Sequence, residues 1–112
     1  MSAPPAGTFI AKVRNGAIQM PPPLLDYCRS ECWTLFHFRV DNEDQLTMLP
    51  VLPEDSTSDF QASLGSDGAL WIPAEVRKII ALREQSVMLR VEEGAISMYL
   101  RKVFDTLGFR PT

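Results

Sequence analysis

The sequence lacks the features that mark most enzymes and metal proteins. It has one histidine and two cysteines, no glycine-rich phosphate loop, and no paired carboxylates with an identifiable catalytic role. No serine, cysteine or aspartate is placed around His37 in a recognisable catalytic pattern. A zinc site would need a fourth ligand beyond Cys28, Cys32 and His37. We therefore expect no enzyme, no metal and no cofactor, and we expect the two cysteines to be free thiols that are buried or half-buried.

Long apolar runs and a strong net charge are also missing. No run approaches the roughly 20 apolar residues that cross a bilayer. Residues 1–7 have neither the basic nor the apolar region of a secretory signal, so we expect a flexible tail there and a cytoplasmic protein. The formal net charge of −3 argues against a surface that is basic throughout. A nucleic-acid ligand would therefore need a local basic patch.

What the sequence does contain is a strand-to-helix pattern that occurs twice. In residues 68–82, a β-forming run is followed by Pro73, which suits the first helical position. Val76, Ile79 and Ile80 then follow at the spacing of one apolar helix stripe. Residues 16–25 repeat the order, and their three consecutive prolines predict that the first helix is the shorter of the two.

Strands are predicted on both sides of each pattern. Alternation of apolar and polar residues, together with turn signals such as Asn15-Gly16, marks them at residues 8–14, 17–20, 33–40, 45–49, 60–64, 70–72, 86–91 and 95–100. Each half therefore has the order strand, strand, short helix, strand, strand. This self-similarity predicts a first repeat at 8–50, a linker at 51–58, a second repeat at 59–100 and a terminal helical turn and tail at 101–112.

The two repeats are too small to fold separately, so we expect them to share one core in a single, mainly β, pseudo-symmetric barrel. The predicted core residues are Ile18, Met20, Leu24 and Leu35 in the first half and Ile72, Val76, Ile80, Val87 and Leu89 in the second. Two further positions have their own expectations. Trp71 suits either an ordinary core or an exposed partner-binding anchor, and His37 should lie on the opposite strand face from Phe36 and Phe38, at the surface or an edge.

The string GALWIPAEVR at residues 68–77, continued by Leu82 and residues 86–89, resembles the swapped-hairpin domain of the AbrB, SpoVT, MazE and MraZ proteins. The resemblance is close over residues 60–100 and looser over 9–49. Two copies in one chain are most similar to MraZ, which holds tandem domains. The resemblance implies a swapped-hairpin barrel built from two tandem β-β-α-β-β repeats. It also implies a transcriptional regulator that binds double-stranded DNA, mainly through phosphates.

The family's motif arginine corresponds to Arg77 in this sequence, and Lys78 lies beside it. The resemblance therefore implies that Arg77 and Lys78 contact DNA. Lys12 and Arg14, on the outward face of a strand beside a turn, are further candidates for phosphate binding. Each pair also has a purely structural alternative. Arg77 and Lys78 could simply be the solvated face of a helix, and Lys12 and Arg14 could protect a sheet edge.

The alternative function is a protein–protein interaction, assembly or antitoxin-like protein that keeps the fold without binding DNA. It is favoured by the acidic net charge and by Ala17 and Ala69, which stand where the family often has a basic residue. Small barrels with apolar edges commonly associate, so a homo-oligomer is expected under either function.

Overall fold

The computed structural model describes residues 4–55, 60–80 and 82–100. The elements are β1 (Phe9–Arg14), β2 (Ala17–Gln19), α1 (Pro22–Ser30), β3 (Leu35–Asn42), β4 (Gln45–Pro50), β5 (Gln61–Ser63), β6 (Ala69–Trp71), α2 (Ala74–Ile79), β7 (Ser86–Glu92) and β8 (Ala95–Tyr99), with one 3-10 turn at Pro53–Asp55. Within the described ranges, neither helix has the length and apolar character needed to span a membrane. The terminal helical turn predicted at 101–112, and parts of the predicted tail and linker, lie outside the described residues.

All eight strands form one antiparallel sheet in the order β5-β3-β4-β8-β7-β1-β2-β6. The two ends of this order also meet. Leu64, which follows β5, forms a bridge with Leu70 of β6, and the Gly65 N–H donates to the Ala69 carbonyl at 2.8 Å. The sheet is therefore nearly closed into a barrel, and the predicted mainly β class is confirmed.

Strands from the two halves of the chain are interleaved around the barrel. β1 pairs with β7, with Ala11 opposite Val87, and β5 pairs with β3, with Ala62 opposite Phe36. β2 and β6 are neighbours, as are β4 and β8. The first strand of each half is thus hydrogen-bonded to the third strand of the other half, so both halves contribute to one sheet and one core.

Two tight hairpin turns have the backbone that their sequence predicts. Asn15 and Gly16 have φ angles of +53° and +80°, and Glu93 and Gly94 have φ angles of +49° and +75°. A type I′ turn needs positive φ at both central residues, and it matches the twist of the flanking strands. These turns fix the register of β1 with β2 and of β7 with β8, and thereby decide which residues face outward.

The core agrees with the prediction at eight of nine positions. Ile18, Met20, Leu24, Ile72, Val76, Ile80, Val87 and Leu89 are all buried. Leu35 is only half-buried, and Phe36 and Phe38 are fully buried in its place. Because alternate residues of a strand face opposite sides, a strand with Phe36 inside cannot also point Leu35 inward. His37 is half-buried on the face away from both phenylalanines, as predicted.

The helices differ from the prediction in length and in one apolar position. α1 has nine residues and α2 has six, so the first helix is the longer. Its prolines stand at the start, where the backbone N–H groups have no helical partner, and so they do not shorten it. Ile79 is 54% exposed. Val76 within α2 and Ile80 at its C-cap are buried, so two of the three predicted stripe residues face the barrel.

The two cysteines have different environments. Cys28 is buried in α1, while Cys32, just beyond the helix, is exposed. Burial raises the pKa of the Cys28 thiol to about 11, because the thiolate would lose its hydration. The predicted buried or half-buried pair is therefore wrong for Cys32.

Candidate functional site

An open groove of about 570 Å³ lies over the outward face of β1, β2 and β6. The alternation of each strand creates it: Val13, Ile18 and Leu70 point into the core, so their neighbours point outward. The outward side chains that line the groove and carry its chemistry are Ile10, Lys12, Arg14, Ala17, Gln19 and Trp71. The groove therefore combines apolar, aromatic and cationic side chains on a rigid sheet.

One row of residues crosses the groove from strand to strand. Arg14 lies opposite Ala17, and Ala17 lies opposite Trp71. Because the alanine side chain is a single methyl group, it leaves open space between the guanidinium and the indole. Trp71 is 61% exposed, and Ile10 at the other end of the groove is 57% exposed. The interpretation of Trp71 as a core residue is therefore wrong, and its exposure is shown, while its role as a partner-binding anchor stays a prediction.

The groove is positively charged. Lys12 and Arg14 are exposed and make no ion pair with a described residue, and the lining contains no aspartate or glutamate. The two residues are two positions apart on one strand face, so their Cα atoms are about 6.6–6.8 Å apart. Glu84 does not line the groove, but together with Lys12 and Arg14 it lines a smaller depression of about 240 Å³.

Arg77 lies at the end of the same hairpin but is already engaged. Its Nε donates to the Ile72 carbonyl at 3.1 Å. Its guanidinium lies so close to the β1–β2 turn that a Cβ on Gly16 would come within 2.9 Å of Nη1. The helix residue and the turn are therefore packed together, although the arginine remains exposed to solvent. This contact, between residues far apart in sequence, was not predicted.

The other half of the barrel has an apolar version of this contact. There, a Cβ on Gly68 would lie 3.1 Å from Leu25 Cδ2. In both halves the turn glycine accepts a backbone hydrogen bond: the Ile72 N–H donates to the Gly16 carbonyl and the Met20 N–H to the Gly68 carbonyl, each at 2.8 Å. Leu25 and Arg77 thus occupy corresponding places, and only one of them is charged.

The four predicted site residues are therefore brought together only in part. Lys12 and Arg14 share the groove, and Arg77 lies at the hairpin turn that ends it. Lys78 is exposed on α2 and does not line the groove.

A second polar arrangement, on the outward face of β3, β4, β8 and β7, was missed at the sequence level. Arg39 lies opposite Thr47, Thr47 opposite Ser97, and Ser97 opposite Arg90, so the four form one row across four strands. The signal was present in two similar strings, FRVD at residues 38–41 and LRVE at residues 89–92. The repeated arginine and carboxylate lie at corresponding places in the two halves.

Carboxylates neutralise both arginines of this row. Arg39 Nε lies 2.9 Å from Asp41 Oδ1, and Thr47 Oγ1 donates to Asp41 Oδ2 at 2.7 Å. On the other side Arg90 pairs with Glu92 at 3.5 Å. Tyr99 donates to Glu92 at 3.1 Å, and partial burial together with this acceptor raises the pKa of the phenol. The row is therefore a network of satisfied pairs, unlike the uncompensated cations of the groove.

The groove is suited to bind a ligand that carries negative charge. Its cations are not neutralised, its indole is exposed, and its strands hold both in fixed register. Among residues 4–55, 60–80 and 82–100, no group of three or more histidine, cysteine, aspartate or glutamate side chains is placed to hold a metal ion. Neither a scan of protein-family models nor a search of curated proteins found a match to the chain.

Proposed function

We propose that the protein is an AbrB/MraZ-like DNA-binding transcriptional regulator that contacts double-stranded DNA mainly through phosphates. The observation that carries the proposal is the groove, where Lys12 and Arg14 project from one strand face without an ion-pair partner in the described part of the chain. None of the described residues that line the groove is acidic. A protein with a net charge of −3 can bind DNA only where the local field is positive. The groove supplies such a field.

The fold part of the proposal is a tandem swapped-hairpin barrel with repeats at 8–50 and 59–100. It is supported by the matched registers of the two halves, in which Ala11 faces Val87 and Ala62 faces Phe36. It is also supported by the corresponding contacts of Arg77 with Gly16 and of Leu25 with Gly68. Two unrelated halves would have no reason to repeat both the strand register and the helix-to-turn contact.

In this proposal the cations have different roles. Lys12 and Arg14 have long, exposed side chains and contact phosphates directly, which fixes the protein on the duplex without reading sequence. Arg77 is held by its hydrogen bond to the Ile72 carbonyl, so it presents a positioned charge at the end of the hairpin. Lys78, outside the groove, adds only to the long-range field.

A salt-titrated binding measurement tests the proposal. The variant Lys12→Gln/Arg14→Gln should bind a random duplex more weakly. Its slope of log affinity against log salt should flatten by up to about 1.8, because about 0.9 counterions are released per phosphate contact. The matched control is Arg39→Gln/Arg90→Gln, which removes the same charge from strand residues outside the groove. Equal slopes for both variants would show that the groove is not the contact surface.

The alternative is an interaction protein that keeps the fold without binding DNA, and the apolar part of the groove favours it. Trp71 and Ile10 are both exposed in the groove, and exposed aromatic and apolar side chains on one surface are typical of a protein-contact site. Under this alternative the protein forms a homo-oligomer through this face. Light scattering should then give a mass above the 12.6 kDa of one chain, and Trp71→Ser should return it to one chain. No binding to duplex DNA at low salt, combined with this mass change, would establish the alternative.

A further inference from the structure

We propose that the groove holds one unpaired nucleotide, whose base stacks on Trp71 while its flanking phosphates lie against Arg14 and Lys12. The inference rests on the proposed DNA-binding function and specifies the form of nucleic acid that the site prefers. A duplex with an unpaired base, or a single strand, should fit the groove better than a fully paired duplex.

The exposed indole is the first reason. Trp71 is 61% exposed, and its neighbour on β2 in the cross-strand row, Ala17, has only a methyl side chain. An exposed aromatic ring on a rigid strand is the platform on which bases stack in proteins that bind single strands, and every base offers a face for it. In the interior of a paired duplex both faces of a base are covered by its neighbours, so an unpaired base is the better partner for Trp71.

The cations are the second reason. Arg14 lies in the same cross-strand row as Trp71, separated from it by Ala17 alone. Lys12 lies one step further along the same face, about 6.6–6.8 Å from Arg14 along the strand. A base on the indole therefore has one cation beside it and a second cation one step along the strand, an arrangement that suits two successive phosphates.

The backbone around the groove argues against a peptide that binds by adding a β-strand to the sheet. β2 in the middle of the groove is paired with β1 on one side and β6 on the other, so it has no free edge to which a peptide strand could add. A bound ligand must use side chains alone. Among the described lining residues the groove offers an aromatic face, the apolar Ile10 and two cations, with no acidic side chain. The aromatic face and the cations match a base and its phosphates.

Within residues 4–55, 60–80 and 82–100 the site occurs once. Because Ala17 faces Trp71 and Gln19 faces Ala69, the place that corresponds to Trp71 in the other half is occupied by Gln19. By the same registers, Ser63 corresponds to Lys12 and Gly65 to Arg14. The pseudo-symmetric partner of the groove therefore has neither the indole nor the cations, and we expect one nucleotide site on each protein molecule.

Tryptophan fluorescence tests the inference directly. In a Trp33→Phe background Trp71 is the remaining tryptophan, and a short oligothymidylate should quench its emission with a stoichiometry of one site per chain. In Trp71→Phe the remaining tryptophan is Trp33, which packs edge-on against Tyr27 and Phe36, so its emission should not change. If Trp33→Phe does not fold, the quenching lost between wild type and Trp71→Phe gives the same information.

Affinity measurements separate the inference from the function on which it rests. Three probes are compared: a paired duplex, the same duplex with one unpaired thymidine, and the oligothymidylate. Trp71→Ala should weaken binding of the unpaired probes by about 5- to 150-fold and leave the paired duplex nearly unchanged. Arg90→Gln is the control for an exposed residue outside the groove.

Each outcome decides one of the two claims. If all three probes fail to bind at low salt, the proposed function fails and the inference falls with it. If the paired duplex binds as well as the unpaired probes and Trp71 is not quenched, the function stands and the inference is overturned. If a glutamate-rich peptide quenches Trp71 at lower concentration than the oligothymidylate does, the groove is a protein-binding site and the inference is overturned.

Discussion

Replacing Gly16 by alanine tests whether Arg77 is a structural residue of the barrel. Gly16 has a φ of +80°, in the left-handed region, where a Cβ costs about 1–2 kcal/mol. The new methyl group would also lie 2.9 Å from Arg77 Nη1 and 3.1 Å from its Nε. Arg77 must then move, and its hydrogen bond to the Ile72 carbonyl is worth about 0.5–1.5 kcal/mol. We therefore expect Gly16→Ala to lower the free energy of unfolding by about 1.5–3.5 kcal/mol.

Gly94→Ala is the matched control for the backbone contribution. Gly94 also lies in a type I′ hairpin turn, with a φ of +75°, but nothing lies within 4 Å of its added Cβ. Its substitution should cost only the left-handed penalty of about 1–2 kcal/mol. The difference between the two losses in free energy of unfolding therefore measures the contact with Arg77 alone, because the backbone penalty is common to both variants.

Urea denaturation followed by circular dichroism supplies the measurement, with m-values compared to confirm that the unfolding transition is unchanged. In an Arg77→Ala background, Gly16→Ala should cost no more than Gly94→Ala does, because the guanidinium is gone. Equal costs for Gly16→Ala and Gly94→Ala in the wild-type background would refute the argument. Arg77 would then be a mobile surface cation.

Three further predictions follow from burial. Ile80→Ala should lower the free energy of unfolding by about 2–5 kcal/mol, because it leaves a cavity in the core, whereas Ile79→Ala, at a 54% exposed position, should change it by less than about 0.5 kcal/mol. A thiol reagent at pH 8 should modify Cys32 in the folded protein and reach Cys28 only after denaturation, because Cys28 is buried and its pKa is about 11. The raised pKa keeps the Cys28 thiol protonated in the folded state, whereas the same thiol in the unfolded chain ionises near pH 8.5. The free energy of unfolding should therefore fall by about 1–2 kcal/mol as the pH rises from 9 to 11. Cys28→Ala should not show this decrease.

The fold was predictable largely because its signals are local. Period-two alternation in residues 8–14 and the Asn15-Gly16 turn fix the strand, the turn and the faces of the hairpin, so Lys12 and Arg14 could be placed on one outward face from sequence alone. Strict alternation in the strand that begins at Leu35 would also have placed Phe36, and not Leu35, in the core. Ile79 could not be placed in this way, because helical spacing indicates a stripe without telling where a short helix ends.

The site was less predictable because it depends on long-range pairing. The outward position of Trp71 follows from its alternation with the buried Leu70 and Ile72. Its place beside Ala17 and Arg14, however, follows from the register of β6 against β2, which no pattern within residues 68–77 contains. The packing of Arg77 against Gly16 likewise joins a helix in one half to a turn in the other. By contrast, the network of Arg39 and Arg90 was open to detection, since its two halves have nearly the same local sequence.

The interleaving of the strands has a consequence for how the chain is made. In the finished barrel Phe9 of β1 lies opposite Leu89 of β7, so the first strand has no partner on that side until β7 has left the ribosome. The first half cannot complete its sheet while the second is still being synthesised, because β3 and β4 also wait for β5 and β8. Folding is therefore a late event that closes many long loops at once, which favours slow folding and leaves unpaired strand edges exposed on the nascent chain.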